Sequence, residues 1–235
     1  MNRTFLRKNP KFEALLCQLL LPKRLTLPRI PLQRLFPEMD NIPVVLRRLS
    51  RGEWSTPIGG VVQLLKIAVS TKPRKILELG SYEGGTAFLM AHNTSNDCLI
   101  VAVDQFDGHG GAYAGSPLAA RIERRVGKSS AGLFEQDANE SYDLIYIDAD
   151  HTYAGVKKDT ELRLRLVRPD GFILWHDYAN WGRLSGSNGV VEYLNQLSAT
   201  LPLCVIQNSA VALPCPAWKD TRRDEYETLS NVGKT

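Results

Sequence analysis

From residue 57 onward, short apolar runs alternate with segments in which apolar residues recur every three or four positions, the rhythm of buried strands and crossover helices. The runs Lys75–Leu79, Leu99–Asp104, Ile122–Val126, Tyr142–Asp148 and Phe172–His176 read as strands; most are nearly continuously apolar, as a sheet covered on both faces requires. Pro57–Ser70, Thr86–Asn93, Tyr153–Val167 and Gly189–Ser198 read as helices, the third ended by Pro169-Asp170-Gly171. Two more apolar runs, Leu203–Ile206 and Ala210–Leu213, flank the turn-like Asn208-Ser209. Strands alternating with helices predict a doubly wound α/β domain with parallel strands.

The N-terminal stretch has a different pattern. Phe12, Leu15, Leu16, Leu19 and Leu20 follow the i, i+3, i+4, i+7, i+8 spacing of one helical face, predicting an amphipathic helix over residues 11–21. Pro22, Pro28, Pro31, Pro37 and Pro43 then predict an extended or turning arm. The chain therefore divides into an extension, 1–52, a catalytic-sized domain, 53–215, and a polar tail, 216–235. The expected partner of the apolar helix face is the chain's own domain or a second copy in a homo-oligomer, with peripheral membrane contact as the alternative.

Charge sharpens this division. Residues 1–52 carry eleven Lys/Arg against three Asp/Glu, a net +8, whereas the remainder is net −4. The basicity belongs to the extension, so it argues against a nucleic-acid cradle around the main domain. Hydrophobic content of 43% is ordinary for a soluble globular chain, and no apolar run approaches the roughly 20 residues of a membrane span. Cys17, Cys98, Cys204 and Cys215 are scattered without metal-site or disulfide spacing, so reduced cysteines and a cytoplasmic location are expected.

The richest motif is Ile76-Leu77-Glu78-Leu79-Gly80-Ser81-Tyr82-Glu83-Gly84-Gly85-Thr86, an apolar strand entering a glycine-rich turn and then a helix. Ligands of open α/β sheets bind outside the carboxyl ends of strands, and glycines there let backbone approach them closely. The spacing of Gly80, Gly84 and Gly85 is not G-x-G-x-x-G, and Glu78 would repel a pyrophosphate. A carboxylate at that position attracts an ammonium instead, while Asp104, ending the next strand, is placed to accept both hydroxyls of an unphosphorylated ribose. S-adenosylmethionine carries both groups and is the expected cofactor.

Two further polar clusters close neighbouring strands, Asp148-Ala149-Asp150-His151 and His176-Asp177. Asp148 and Asp150 are two residues apart and are expected to share a face. Asp148, His176 and Asp177 form a candidate metal set. A divalent cation, Mg²⁺ or Mn²⁺, would position an acceptor hydroxyl and stabilise the developing alkoxide. His151 or His176 as a metal-independent general base remains open, as do cap roles for Asp150 and core roles for the histidines. The loop 108–115 and the segment 178–188, with Trp181 and Arg183, are candidate acceptor contacts.

The strings E-L-G-S-Y-E-G-G-T, V-D at Val103-Asp104 and D-L-I-Y-I-D-A-D-H resemble class I methyltransferases over residues 57–213, and are most similar to the catechol and macrocin O-methyltransferase-like families. The resemblance implies a Rossmann-like sheet of seven strands, the last antiparallel. It implies that Glu78, Gly80, Ser81, Tyr82, Gly84, Gly85 and Thr86 surround the methionine part of the cofactor, Asp104 the ribose and Ser129 the adenine, with Asp148 at the edge of the same site. It also implies metal ligation by Asp148, His176 and Asp177, proton transfer by Asp150 with His151 beside it, and a small-molecule hydroxyl acceptor such as a sugar or natural-product intermediate. His176 departs from the family pattern, which has a carboxylate there. A cofactor-binding interaction protein docking through its basic arm is the reading from a different class.

Overall fold

The parallel strands pair in register because each is followed by a segment that crosses over the sheet. In a computed structural model, which describes residues 3–20, 25–47, 56–128 and 131–215, the strands are β1 (Arg29–Ile30), β2 (Lys75–Leu79), β3 (Leu99–Asp104), β4 (Ile122–Val126), β5 (Tyr142–Ile147), β6 (Val167–Trp175), β7 (Leu203–Ile206) and β8 (Ala212–Pro214). Their order is β1-β7-β8-β6-β5-β2-β3-β4; β2 to β6 run parallel, and β8 is antiparallel to both β6 and β7. The expected seven strands are present, and an eighth is added. Arg29–Ile30, from the proline-rich extension, pairs in parallel with β7, so that part of the extension belongs to the sheet.

The helices are α1 (Arg3–Lys8), α2 (Pro10–Leu20), α3 (Leu32–Leu35), α4 (Ile58–Thr71), α5 (Gly85–Asn93), α6 (Tyr153–Leu164) and α7 (Val190–Leu197). Buried residues of α4 and α5, Val61, Leu64, Ala87 and Met90, pack with Ile76, Ile100, Leu144 and Leu174 on one sheet face. Val156 of α6 and Val190, Val191 and Leu194 of α7 pack with Leu77, Val101, Ile145 and Trp175 on the other. Both faces are thus dry, which is why the strands carry apolar residues at nearly every position.

Two sequence expectations change. The helix predicted to reach Val167 stops at Leu164, and Pro169-Asp170-Gly171 lies within β6 instead of ending the helix. The pairing of β5 and β6 shifts register between Tyr142 and Leu144, so Pro169 falls in an irregular stretch where its missing N–H costs no ladder bond. Gly171 is needed there because a Cβ would lie 2.9 Å from the Asp143 carbonyl. The second change concerns α2. Phe12, Leu15, Leu19 and Leu20 face solvent, while Glu13 and Cys17 are buried. The Glu13 carboxylate accepts the Ser185 N–H at 2.6 Å and the Ser185 hydroxyl at 3.0 Å, and that anchored charge sets the roll of the helix.

A buried ion-pair network ties the amino ends of β2 and β5 to Arg125 of β4. Asp137 receives hydrogen bonds from Lys75 (2.8 Å), Tyr142 (3.1 Å) and Arg125. Burial opposes ionisation of this carboxyl, but the bonds and charges of Arg125 and Lys75 outweigh it and hold it below the usual carboxylate range. Its contribution to stability is present above the unfolded-state pKa and is lost as pH falls through the lower folded value. We expect Asp137→Ala to lower the unfolding free energy by about 3 kcal/mol, because two cations lose their buried partner. Urea unfolding near neutral pH measures it, and the deficit should shrink in acid.

Candidate active site

In a doubly wound sheet the ligand crevice opens where crossovers diverge, and here β2 leads outward to β3 while β5 lies on its other side. Gly80 leaves β2 at this point with φ +84, and a Cβ there would lie 2.0 Å from the Asp148 carbonyl, so only glycine fits. The turn continues with the Gly84 N–H donating to the Ser81 carbonyl at 2.7 Å, and Gly84, also left-handed, caps α5. Gly85 and Thr86 open the first turn of α5, whose leading N–H groups have no acceptor within the helix.

Glu78 is 1% exposed, and its Oε2 has no hydrogen-bond partner; neither has the buried Ser81 hydroxyl beside it in sequence. Burial, reinforced by the negative charges of Asp148 and Asp104, pushes the Glu78 carboxyl up to about 8. The Ala87 N–H offsets part of the cost of burying this acid, and an ammonium ligand would supply charge and a donor to the open oxygen. The site therefore fits the amino-acid end of the expected cofactor.

Asp104, at the end of β3, is engaged by protein groups. Its Oδ2 accepts the Tyr82 N–H at 2.7 Å, its Oδ1 accepts the Phe106 N–H at 2.9 Å, and His109 Nδ1 lies 2.8 Å from Oδ1. The His109 ring packs edge-on against Tyr82 and Phe106. A cavity of about 390 Å³ opens between Tyr82-Glu83 and the glycine-rich residues 108–112. Sequence reasoning placed His109 only within the candidate acceptor loop 108–115; its pairing with Asp104, five residues earlier, is added by the structure. Ser129 lies outside the described residues.

The second half of the site forms around Asp148 and Asp177. His151 Nε2 lies 2.7 Å from Asp177 Oδ2 and 3.3 Å from Asp148 Oδ1. His176 Nδ1 lies 3.2 Å from Asp148 Oδ1 and 3.3 Å from Asp177 Oδ1. Asp148 Oδ2 accepts hydroxyl hydrogen bonds from Thr56 at 3.3 Å and Tyr146 at 3.2 Å. Trp181 donates its indole N–H to Asp177 Oδ1 at 3.0 Å and packs its ring against His151. Asp177 has φ +59, a left-handed conformation that aspartate tolerates better than most residues and that turns its carboxylate back into the cluster.

Sequence placed His176 with Asp148 and Asp177 as metal ligands. The structure brings all three together, and adds His151: ligand atoms of Asp148, His151 and Asp177 lie within 4.8 Å of one another. Asp150 is the exception. It is exposed, and its Oδ1 accepts the Thr152 N–H at 2.9 Å, leading into the Thr152 cap of α6. The alternation that put Asp150 beside Asp148 fails because β5 ends at Ile147, before either residue. Arg183 is held by Glu192 at 2.6 Å rather than presented to the crevice.

Residues 77–178 match a family model described as a methyltransferase domain. The matched segment runs from β2 to just beyond the end of β6 and is similar to a methyltransferase domain. The protein y4gI of Sinorhizobium fredii is 29% identical to it over 145 residues, an alignment covering 56% of this chain but only 16% of that protein. The fold is shared with the O-methyltransferase TomG of Streptomyces achromogenes, involved in tomaymycin synthesis and solved with S-adenosylmethionine (TM-score 0.56, 15% identity, 88% of this chain and 96% of that one). It is shared equally with a Bacillus cereus O-methyltransferase in complex with S-adenosylhomocysteine (0.53, 20%, 87% and 99%) and with Podospora anserina PaMTH1, also bound to S-adenosylhomocysteine (0.56, 17%, 88% and 94%).

The charges of the second cluster depend on one another. Burial disfavours protonated His151, but Asp148 and Asp177 outweigh it and raise it to about 9. His176 is raised as well, by Asp148 against the cost of burial, and Asp177 is lowered by His151 and His176 despite its burial. Stability from His151 is full below its unfolded value near 6.5 and is lost as pH rises through about 9. In metal-free protein, NMR titration should find His151 protonated at neutral pH, and Asp177→Asn should bring its midpoint down toward the ordinary histidine range.

Proposed function

We propose that this protein transfers the methyl group of S-adenosylmethionine to a hydroxyl of a small molecule, with a divalent cation held by Asp148, His151 and Asp177. The observation that carries the reading is the buried Glu78 carboxyl, with one oxygen left without a partner, on the same strand-end rim as Asp104 and that cluster. Structural neighbours whose names include O-methyltransferase, with S-adenosylmethionine or S-adenosylhomocysteine bound, support the cofactor and the acceptor class.

In this reading Glu78 accepts hydrogen bonds from the cofactor's ammonium, and Gly80 lets the chain leave β2 tight against the Asp148 backbone. Asp104 accepts the ribose hydroxyls, with His109 giving up its bond to the carboxylate. Bound S-adenosylmethionine supplies an electrophilic methyl, and a bound cation would lower the cost of forming an acceptor alkoxide. Two carboxylates and an imidazole suit Mn²⁺, Fe²⁺ or Zn²⁺ better than Mg²⁺, which prefers oxygen ligands. His176 bonds both carboxylates from behind and orients them, while Trp181 fixes Asp177 and covers His151.

The rival within the same chemistry uses His151 as a metal-free base. Its elevated pKa, about 9, makes it protonated at neutral pH, so that route would be chelator-resistant and would speed up toward alkaline pH.

Calorimetry with S-adenosylhomocysteine tests the cofactor half: Asp104→Ala should weaken binding about tenfold or more, the loss of hydrogen bonds to a charged group. Unchanged affinity in that variant removes Asp104 from the cofactor site. Mn²⁺ titrated into the S-adenosylhomocysteine-loaded protein should bind saturably, and Asp177→Ala should abolish this. Confirmed cofactor binding without any Mn²⁺ binding would shift the mechanism to His151.

A further inference from the structure

The α1–α2 hairpin carries an apolar surface that no described part of the chain covers. Phe5, Phe12, Leu15, Leu19 and Leu20 are 44–67% exposed, and the Phe5 and Phe12 rings meet edge to face at 6.0 Å, joining the two helices into one patch. Contiguous exposed apolar area of this kind marks an interaction surface. The buried side of the hairpin cannot be exchanged for the apolar one, because Glu13 is fixed inward by two hydrogen bonds from Ser185.

What the patch meets is decided by charge. Arg3, Lys8 and Lys11 are exposed on the same hairpin, and Arg7, Lys23 and Arg24 add to the positive charge of this stretch of sequence. Glu13 is the sole acid in residues 1–24, and it is buried. A second copy of this chain pairing through the patch would bring two such cationic surfaces together, which like-charge repulsion disfavours. The polar tail, residues 216–235, offers no apolar stretch to fill it. We propose that the α1–α2 hairpin docks on an anionic lipid surface, its Phe and Leu side chains entering the interface and its Lys and Arg side chains meeting the headgroups. No helix among the described residues is long and apolar enough to span a membrane, so the contact is peripheral.

The test uses the full chain and vesicles of phosphatidylcholine with or without phosphatidylglycerol. Co-sedimentation should be about tenfold stronger on the anionic vesicles and should weaken as salt is raised, because screening acts on exposed charges. The double variant Leu15→Glu and Leu19→Glu alters only exposed positions; it should keep the wild-type melting temperature and lose vesicle binding. Equal partitioning onto both vesicle types, or undiminished binding of the double variant, overturns the proposal. So does sedimentation velocity showing a wild-type dimer that the double variant dissociates, which would assign the patch to a second copy.

Discussion

Four carboxylates, Glu78, Asp104, Asp148 and Asp177, come to one rim because β2, β3, β5 and β6 are parallel and each acid lies at or just beyond a strand's carboxyl end. Negative charge at that density is unfavourable unless compensated. Burial and its acidic neighbours raise Glu78 toward protonation, while His151 and His176 sit as cations between Asp148 and Asp177. Asp104 takes its hydrogen bonds from two backbone N–H groups and His109. Each of these compensations occupies a place that a ligand of the proposed reaction would take: an ammonium at Glu78, a ribose at Asp104, a cation between the two aspartates. In the proposed reaction, the geometry that concentrates charge would also supply the binding energy for cofactor and metal.

The fold was legible from the sequence where packing dictates pattern. The central strands are buried on both faces, so β2, β3 and β5 and the helices α4, α5 and α7 appear within a residue or two of their predicted ends. Elements governed by backbone detail were less legible. Arg29–Ile30 is too short to show a period, and Pro169-Asp170-Gly171, an ordinary helix stop by composition, lies in a strand irregularity that depends on its neighbour's register.

Within the candidate site, position along a strand predicted that Glu78, Gly80, Asp104, Asp148 and Asp177 lie at one rim, where the structure places them. The side chains just beyond the strands were harder, because a chain leaving a sheet no longer alternates. Asp150 and His151 are adjacent in sequence, yet one caps a turn and the other enters the cluster. The extension shows the opposite limit: its apolar periodicity correctly marked a helix, but a single hydrogen-bonded carboxylate, Glu13, determined which side faced the protein.

In the proposed function, cofactor and cation meet on this one rim. Crystals grown with S-adenosylhomocysteine and Mn²⁺, measured at the manganese absorption edge, test that directly. We predict a single anomalous peak bounded by Asp148, His151 and Asp177, and the S-adenosylhomocysteine amino group on Glu78. A cofactor seated away from Glu78, or manganese anywhere but this cluster, would contradict it.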